Sequence, residues 1–279
     1  MTCKPLLISL ETRAVVRLSG EDWRSFLQGL ITQDVETLAE GELRFGALLT
    51  PQGRILHDLF ILGTPDGCLL DVEAAQREAL VRRLQMYRLR ARVVIETPEV
   101  QVRALLDHEG PSPEGWAQDP RLPHIGLRGY PGGEPEDSRS EGQAAYEARR
   151  LELGLAGPQD WGIEKTYPIE ANFDLTSGID FAKGCFVGQE TTSRMKRRGQ
   201  IKNRMAPICF EPGRPPAPGA EILMGDRRAG EVLSLGEGRA MALVRLDRIH
   251  AGPLTAGGQE VRVEEPDWLS PYLTAPASA

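Results

Sequence analysis

The chain has 279 residues, of which 41% are hydrophobic and 26% charged, and a formal net charge of −7. That is enough apolar material for one large or two to three small domains without cross-links. The acidic balance excludes a global attraction to nucleic acid or to an anionic membrane. No apolar run approaches the roughly 18 residues of a membrane span. The N-terminal stretch MTCKPLLISLETRAVVRL has neither a signal-peptide apolar region nor an Arg/Ser-rich transit helix and reads as a first strand. Cys3, Cys68, Cys185 and Cys209 are far apart with no CxxC pair, which argues against a zinc knuckle or a dithiol redox motif. A reducing, cytoplasmic setting is expected.

In chain order, TRAVVRL (12–18) alternates as a strand does, and Ser19 or Asp22 then caps a helix entry. Trp23, Phe26, Leu27, Leu30 and Ile31 fall at helical spacing. Residues 42–63 read as a hairpin turning at Thr50-Pro51-Gln52-Gly53. GCLLDVE is a third strand, followed by a helix over about 74–89 with Leu80, Val81, Leu84 and Tyr87 on one side, and by two more strands before Asp107. From 107 to 141 the chain is rich in Pro, including Pro111, Pro113, Pro120, Pro123, Pro131 and Pro135, and in Gly. It reads as a long loop or a boundary with one short strand near 124–127. A helix over 144–153 stops at Gly154. Residues 155–187 lack periodicity, and loops of that length are often functional. Short strands separated by turn signals over about 200–266 predict a small all-β barrel. The tail spans 267–279, and its SPYLTAPASA (270–279) is expected to be loose. The irregular alternation of strands and helices gives an α+β class, with an α+β region over 1–199 and the barrel over 200–266.

The segment FAKGCFVGQE (181–190) stands out chemically. Gly184 and Gly188 permit a tight turn on either side of Cys185. Lys183, two residues away, is a cation of the kind that favours thiolate, the nucleophilic and metal-binding form. QETTSRMKRRG then reads as a short helix with Glu190 at its start, Lys196, Arg197 and Arg198 at its end and Gly199 as its cap. Local physics alone favours the plainer reading, in which Cys185 is a small buried hydrophobe. No full metal site is expected from one cysteine.

KGCFVGQE (183–190) resembles the signature of the YgfZ family, folate-binding proteins of iron–sulfur cluster assembly. GEDWRSFLQGLITQDV (20–35) resembles the first helix of that family and of its relative, the aminomethyltransferase T-protein of the glycine cleavage system. YEARRLELGLAGPQDWGIEKTYPIEANF (146–173) resembles the segment that leads to their folate site. The resemblance covers nearly the whole chain, least well over 107–141.

It implies a T-protein-like fold of three modules around a central cavity, with tetrahydrofolate or a one-carbon derivative as cofactor. Glu170 then matches the pterin-binding glutamate, since a carboxylate accepts the adjacent N–H groups of a pterin as a bidentate pair. Asp58 matches the acidic position near the reactive folate nitrogen. Here the pair is His57-Asp58 where Asp-Asp is expected in T-proteins, and only one of two adjacent strand residues can face the site. Arg194, with Lys196, Arg197 and Arg198, is a candidate for the folate glutamyl tail; a solvated helix end is the plainer reading. Trp161 and Tyr167 are candidates to stack on the ligand's rings or simply to pack.

The resemblance implies an accessory factor for assembly or repair of iron–sulfur clusters, with Cys185 as the chemical thiol assisted by Lys183. The implied partners are assembly proteins and client 4Fe–4S enzymes, with no nucleic acid and no membrane. The implied compartment is the bacterial cytoplasm, with a mature mitochondrial matrix protein as the alternative. A folate-dependent aminomethyltransferase and a folate-binding scaffold without chemistry are the competing readings, because fold does not fix function.

Overall fold

The computed structural model describes residues 4–130, 133, 135, 138–199 and 201–274. Cys3, Pro131 and the last five residues of the expected tail lie outside them. The chain divides into two compact units, each built from two separate stretches. The first takes Met1–Tyr146 and Thr176–Gln189, the second Glu147–Leu175 and Glu190–Ala279. Residues 147–175 and 190–199, grouped with the N-terminal region on sequence grounds, therefore cluster with the barrel.

In the first unit, strands β1 (Leu6–Ser9) and β2 (Arg13–Ser19) precede helix α1 (Trp23–Gln28). The hairpin β3 (Leu43–Leu49) and β4 (Ile55–Thr64) leads to β5 (Gly67–Glu73), helix α2 (Arg77–Arg88) and β6 (Val94–Glu96). These make an antiparallel sheet in the order β3-β4-β5-β2-β6. Because successive side chains alternate across a strand, one face carries Val16, Leu18, Ile61 and Leu70 into a core completed by Leu27 of α1 and Leu80 and Leu84 of α2. Helix α1 is shorter than its apolar spacing suggests. Leu30 and Ile31 lie beyond it, and Ile31 bridges to Leu48 of β3. Asp22 precedes α1 without capping it, since its carboxylate accepts the Arg92 N–H at 2.8 Å.

The Pro/Gly-rich stretch is more ordered than expected. After β7 (Arg103–Leu106), it supplies β8 (Trp116–Gln118), β9 (Leu127–Gly129) and β10 (Arg139–Glu141) to a second sheet, β10-β1-β7-β9-β8. The short strand expected near 124–127 is a 3-10 turn, Pro123–Ile125, running into β9. This sheet meets the second face of the first through buried charge. Arg13 donates to Asp58 (2.8 Å) and Asp71 (2.6 Å). Arg128 and Tyr130 donate to the same Asp71, and the Arg128 guanidinium lies 3.7 Å from the centre of the Phe60 ring. Arg121 pairs with Asp119 at 2.8 Å. Three buried arginines and three buried aspartates thus compensate one another, the condition under which charge is tolerated inside a protein.

The second unit contains helix α3's larger part (α3, Gln143–Glu152), α4 (Pro158–Trp161), nearly all of α5 (Gln189–Arg198) and the strands β11 (Asn203–Phe210), β12 (Glu221–Met224), β13 (Arg227–Leu235), β14 (Arg239–Arg245), β15 (Leu254–Ala256) and β16 (Gln259–Val263). The strands close a barrel in the order β11-β14-β13-β12-β15-β16, sealed by the β11–β16 pair. Gly154, at φ +72°, ends α3 as expected, and Gly199, at φ +61°, follows α5. The start of the tail is not loose. Leu269 and Leu273 flank a 3-10 turn, Ser270–Tyr272, and are fully buried in the barrel core.

Candidate functional site

The signature segment belongs to the first unit and is fastened to it residue by residue. Thr32 is the first anchor: its hydroxyl donates to the Gly178 carbonyl (2.6 Å), and its own carbonyl accepts the Asp180 N–H (2.9 Å). The Asp180 carboxylate then accepts the N–H groups of Ala182 (2.7 Å) and Lys183 (3.1 Å), forming a turn. Phe186 is buried. Gly188 sits at φ +81°, so close to the β3–β4 turn that a Cβ would stand 2.7 Å from the Thr50 carbonyl oxygen and 2.9 Å from Gly53 Cα. Glycine is required there on both counts. Gly184 has no such need: it lacks a positive φ, and nothing lies within 4 Å of a Cβ placed on it.

Lys183 points into the unit. Its Nζ donates to the carbonyls of Gln28 (2.7 Å), Ile31 (2.7 Å) and Gln33 (2.9 Å), which uses all three ammonium donors. Burial pushes its pKa down to about 8, while Asp34, Asp180 and Glu36 oppose the shift. The activating neighbour expected from the sequence is thus a half-buried clamp that closes the α1–β3 connection onto the signature loop. Cys185, two residues on, is exposed, against the buried-hydrophobe reading of local physics. The arrangement presents a thiol to solvent from a loop held at Thr32, Asp180, Lys183, Phe186 and Gly188.

Asp58 and His57 of β4 separate as adjacent strand residues must. Asp58 shares its face with Phe60 and Asp71 and is held by Arg13. His57 is buried on the opposite face, toward Arg83 of α2; its Nδ1 has no partner, and burial lowers its pKa to about 4.

Glu170 belongs to the second unit. It is half-buried, with one carboxylate oxygen accepting from Asn203 Nδ2 (3.1 Å) and the other from the Tyr167 N–H (3.2 Å). Each oxygen keeps a further lone pair for a ligand donor. The turn that carries it is clasped by Arg204, a buried residue of β11. Its guanidinium donates to the Ile169 carbonyl, to Asn172 Oδ1 and to both oxygens of Asp174, all at 3.0 Å. Trp161 is buried and packs edge-on against Phe173 at 5.2 Å, so it serves the core of this unit. Tyr167 is half-buried beside Glu170. Arg194 is exposed and 3.8 Å from Glu190, one turn earlier on α5, the solvated helix-end arrangement. Sequence reasoning passed over Arg13 and Arg204, whose only signal was a charge at an inward position of an alternating strand.

Residues 202–271 match the family described as CAF17, C-terminal beta-barrel domain. The crystal structure of the glycine cleavage system aminomethyltransferase T from Bartonella henselae aligns with a TM-score of 0.76 at 18% identity, covering 96% of this chain and 87% of that one. The fold is that of aminomethyltransferase T. The α+β class with a C-terminal barrel expected from the sequence is the one found. In sequence, the chain is 33% identical over 230 residues to the iron-sulfur cluster assembly factor IBA57 homolog, mitochondrial, of Pyricularia oryzae, covering 72% of this chain and 57% of that protein. It is 32% identical over 274 residues to the homolog of the same name in Neurospora crassa, covering 86% and 58%. The chain thus spans a little under three fifths of the length of these relatives. The signature suggested the YgfZ family by name, whereas these relatives bear the IBA57 name. Among the described residues, no helix is long and apolar enough to cross a membrane.

Proposed function

We propose that the protein is an accessory factor for the assembly or repair of iron–sulfur clusters, with Cys185 as its working thiol. The observation that carries this reading is the exposed Cys185 on a loop held in place by Lys183 on one side and the buried Phe186 on the other. The names of the IBA57 relatives support it independently. A thiol that served only packing would be buried. Among the described residues, no group of three or more His, Cys, Asp or Glu side chains is placed to hold a metal ion. A cluster in transit at Cys185 would therefore draw its remaining ligands from a second molecule, an assembly protein or a client 4Fe–4S enzyme. The mitochondrial names of the relatives favour the matrix alternative over the cytoplasmic expectation.

Tetrahydrofolate, or a one-carbon derivative, is the cofactor suggested by the fold. Glu170 fits it, since both its oxygens are oriented by existing donors and retain acceptor capacity. The cofactor would supply a one-carbon carrier, and Glu170 would orient its pterin, with Tyr167 beside it. Asp58 is held in a fixed orientation by Arg13 at 2.8 Å. The fold alone would equally suit an aminomethyltransferase, and the signature thiol favours the assembly reading.

The test is complementation of cells that lack the protein, read as the activity of a 4Fe–4S enzyme such as aconitase. Wild type restores activity, Cys185→Ser does not, and Glu170→Gln restores it in part. Equal rescue by wild type and Cys185→Ser, with both folded, would sink the thiol's role. Failure of wild type itself would sink the iron–sulfur assignment.

A further inference from the structure

Helix α2 ends in Arg88-Leu89-Arg90, and this tip is built unlike a passive helix end. Leu89 takes φ +43°, ψ −105° and is 88% exposed. A helix terminus with positive φ ordinarily carries glycine or asparagine; here a large apolar side chain occupies it and faces solvent. Met86 (66%) and Val94 (51%) are exposed nearby in the chain. The same stretch, 77–94, holds six arginines and one glutamate in a chain of net charge −7. Arg77 pairs with Glu99, Arg82 with Glu78, and Arg92 with Glu21 and Asp22. Arg88 and Arg90 are exposed and have no carboxylate partner among the described residues. A shallow groove of about 440 Å³ runs along 88–94 beside Gly20 and Glu21.

We propose that this tip is a docking surface for an acidic segment of a partner protein, with Leu89 entering an apolar contact and Arg88 and Arg90 pairing with flanking carboxylates. Arginine is enriched at the energetic centres of protein interfaces, and the exposed Leu89 between two arginines adds apolar area that burial would stabilise. The choice of a protein segment over an extended polyanion follows from range. Charges beyond about 8–10 Å are screened at physiological salt, so a short acidic segment meets only the local arginines. A bilayer or a nucleic-acid duplex extends past the tip and would also meet the exposed carboxylates of Glu21 and Glu78. The surface goes beyond the thiol reading and stands whether or not that reading holds.

The test uses the full chain and a dye-labelled peptide of about a dozen Glu and Asp residues with one central leucine, followed by fluorescence anisotropy. Vesicles containing phosphatidylglycerol, a DNA duplex and sedimentation of the protein alone are run in parallel. The expected result is saturable peptide binding that weakens with added salt. The double variant Arg88→Glu/Arg90→Glu and the variant Leu89→Ser should each weaken it by about tenfold. Leu89→Gly should raise the melting temperature by relieving the backbone yet weaken the peptide, an opposition that a purely structural leucine would not produce. Absence of peptide binding, or binding indifferent to these variants, would overturn the proposal. So would vesicle, duplex or self-association that responds to the variants in the peptide's place.

Discussion

Two glycines that look alike in KGCFVGQE have different work. Gly188 combines φ +81° with backbone of the β3–β4 turn inside the space of a side chain, and Gly184 has neither constraint. Gly188→Ala should cost about 2 kcal/mol in urea unfolding, whereas Gly184→Ala should stay within about 0.5 kcal/mol. Equal losses would show that the loop is not anchored at Gly188. The motif was legible as letters, but which glycine is obligatory depends on a contact with residues more than a hundred positions earlier. His57 offers a second test. Buried without a partner for Nδ1, it is held neutral, with its pKa lowered from 6.5 to about 4. The unfolded chain therefore binds the proton more readily between those values. The contribution of neutral His57 is complete above pH 6.5 and is lost as pH falls toward 4, about 3 kcal/mol in all. Relative to wild type, His57→Leu should lack this slope when unfolding is compared at pH 7 and pH 4. Parallel losses in both proteins would mean that His57 is not buried neutral. Its side of β4 was left open by the sequence, because alternation says that His57 and Asp58 part company and not which faces the helices.

Among the elements, those with strong periodicity were readable. The β3–β4 hairpin, β5, helices α2, α3 and α5, and the barrel strands other than β15 lie close to where their apolar spacing puts them. What escaped were short strands that carry charge inward. β9 is three residues long and buries Arg128; β11 was readable as a strand, but its buried Arg204 was not. A buried arginine counts as polar in any hydrophobic pattern, so PRLPHIGLRGY reads as loop with a short strand near 124–127, ahead of Leu127–Gly129 where it lies. Its partners, Asp71 for one and Asp174 for the other, are supplied by distant segments. Arg204 should be decisive for the Glu170 turn. Arg204→Ala would leave Asp174 buried beside only a partly exposed Lys196 at 3.6 Å and should cost about 3–5 kcal/mol. Thermal and urea unfolding would measure the loss, and a change under about 1 kcal/mol would contradict the clasp.

For the whole chain, the barrel strands close on one another, but the stretch that strand signals mark out is incomplete as a folding unit. A fragment of residues 200–266 would lose the Ile169, Asn172 and Asp174 partners of Arg204, and the Leu269 and Leu273 side chains that plug the barrel. It should therefore show no cooperative unfolding by circular dichroism. A sharp transition at any temperature would show that the barrel stands without those contacts. The interleaving of the two units also sets a schedule for synthesis. Domains generally fold as they leave the ribosome, N-terminal first. Here residues 147–175 of the second unit emerge before residues 176–189, which complete the first. The loop bearing Cys185 is thus the last piece of the first unit to be translated. A chain that stalls before residue 189 displays no mounted thiol, so Cys185 is presented only with the finished scaffold that restrains it.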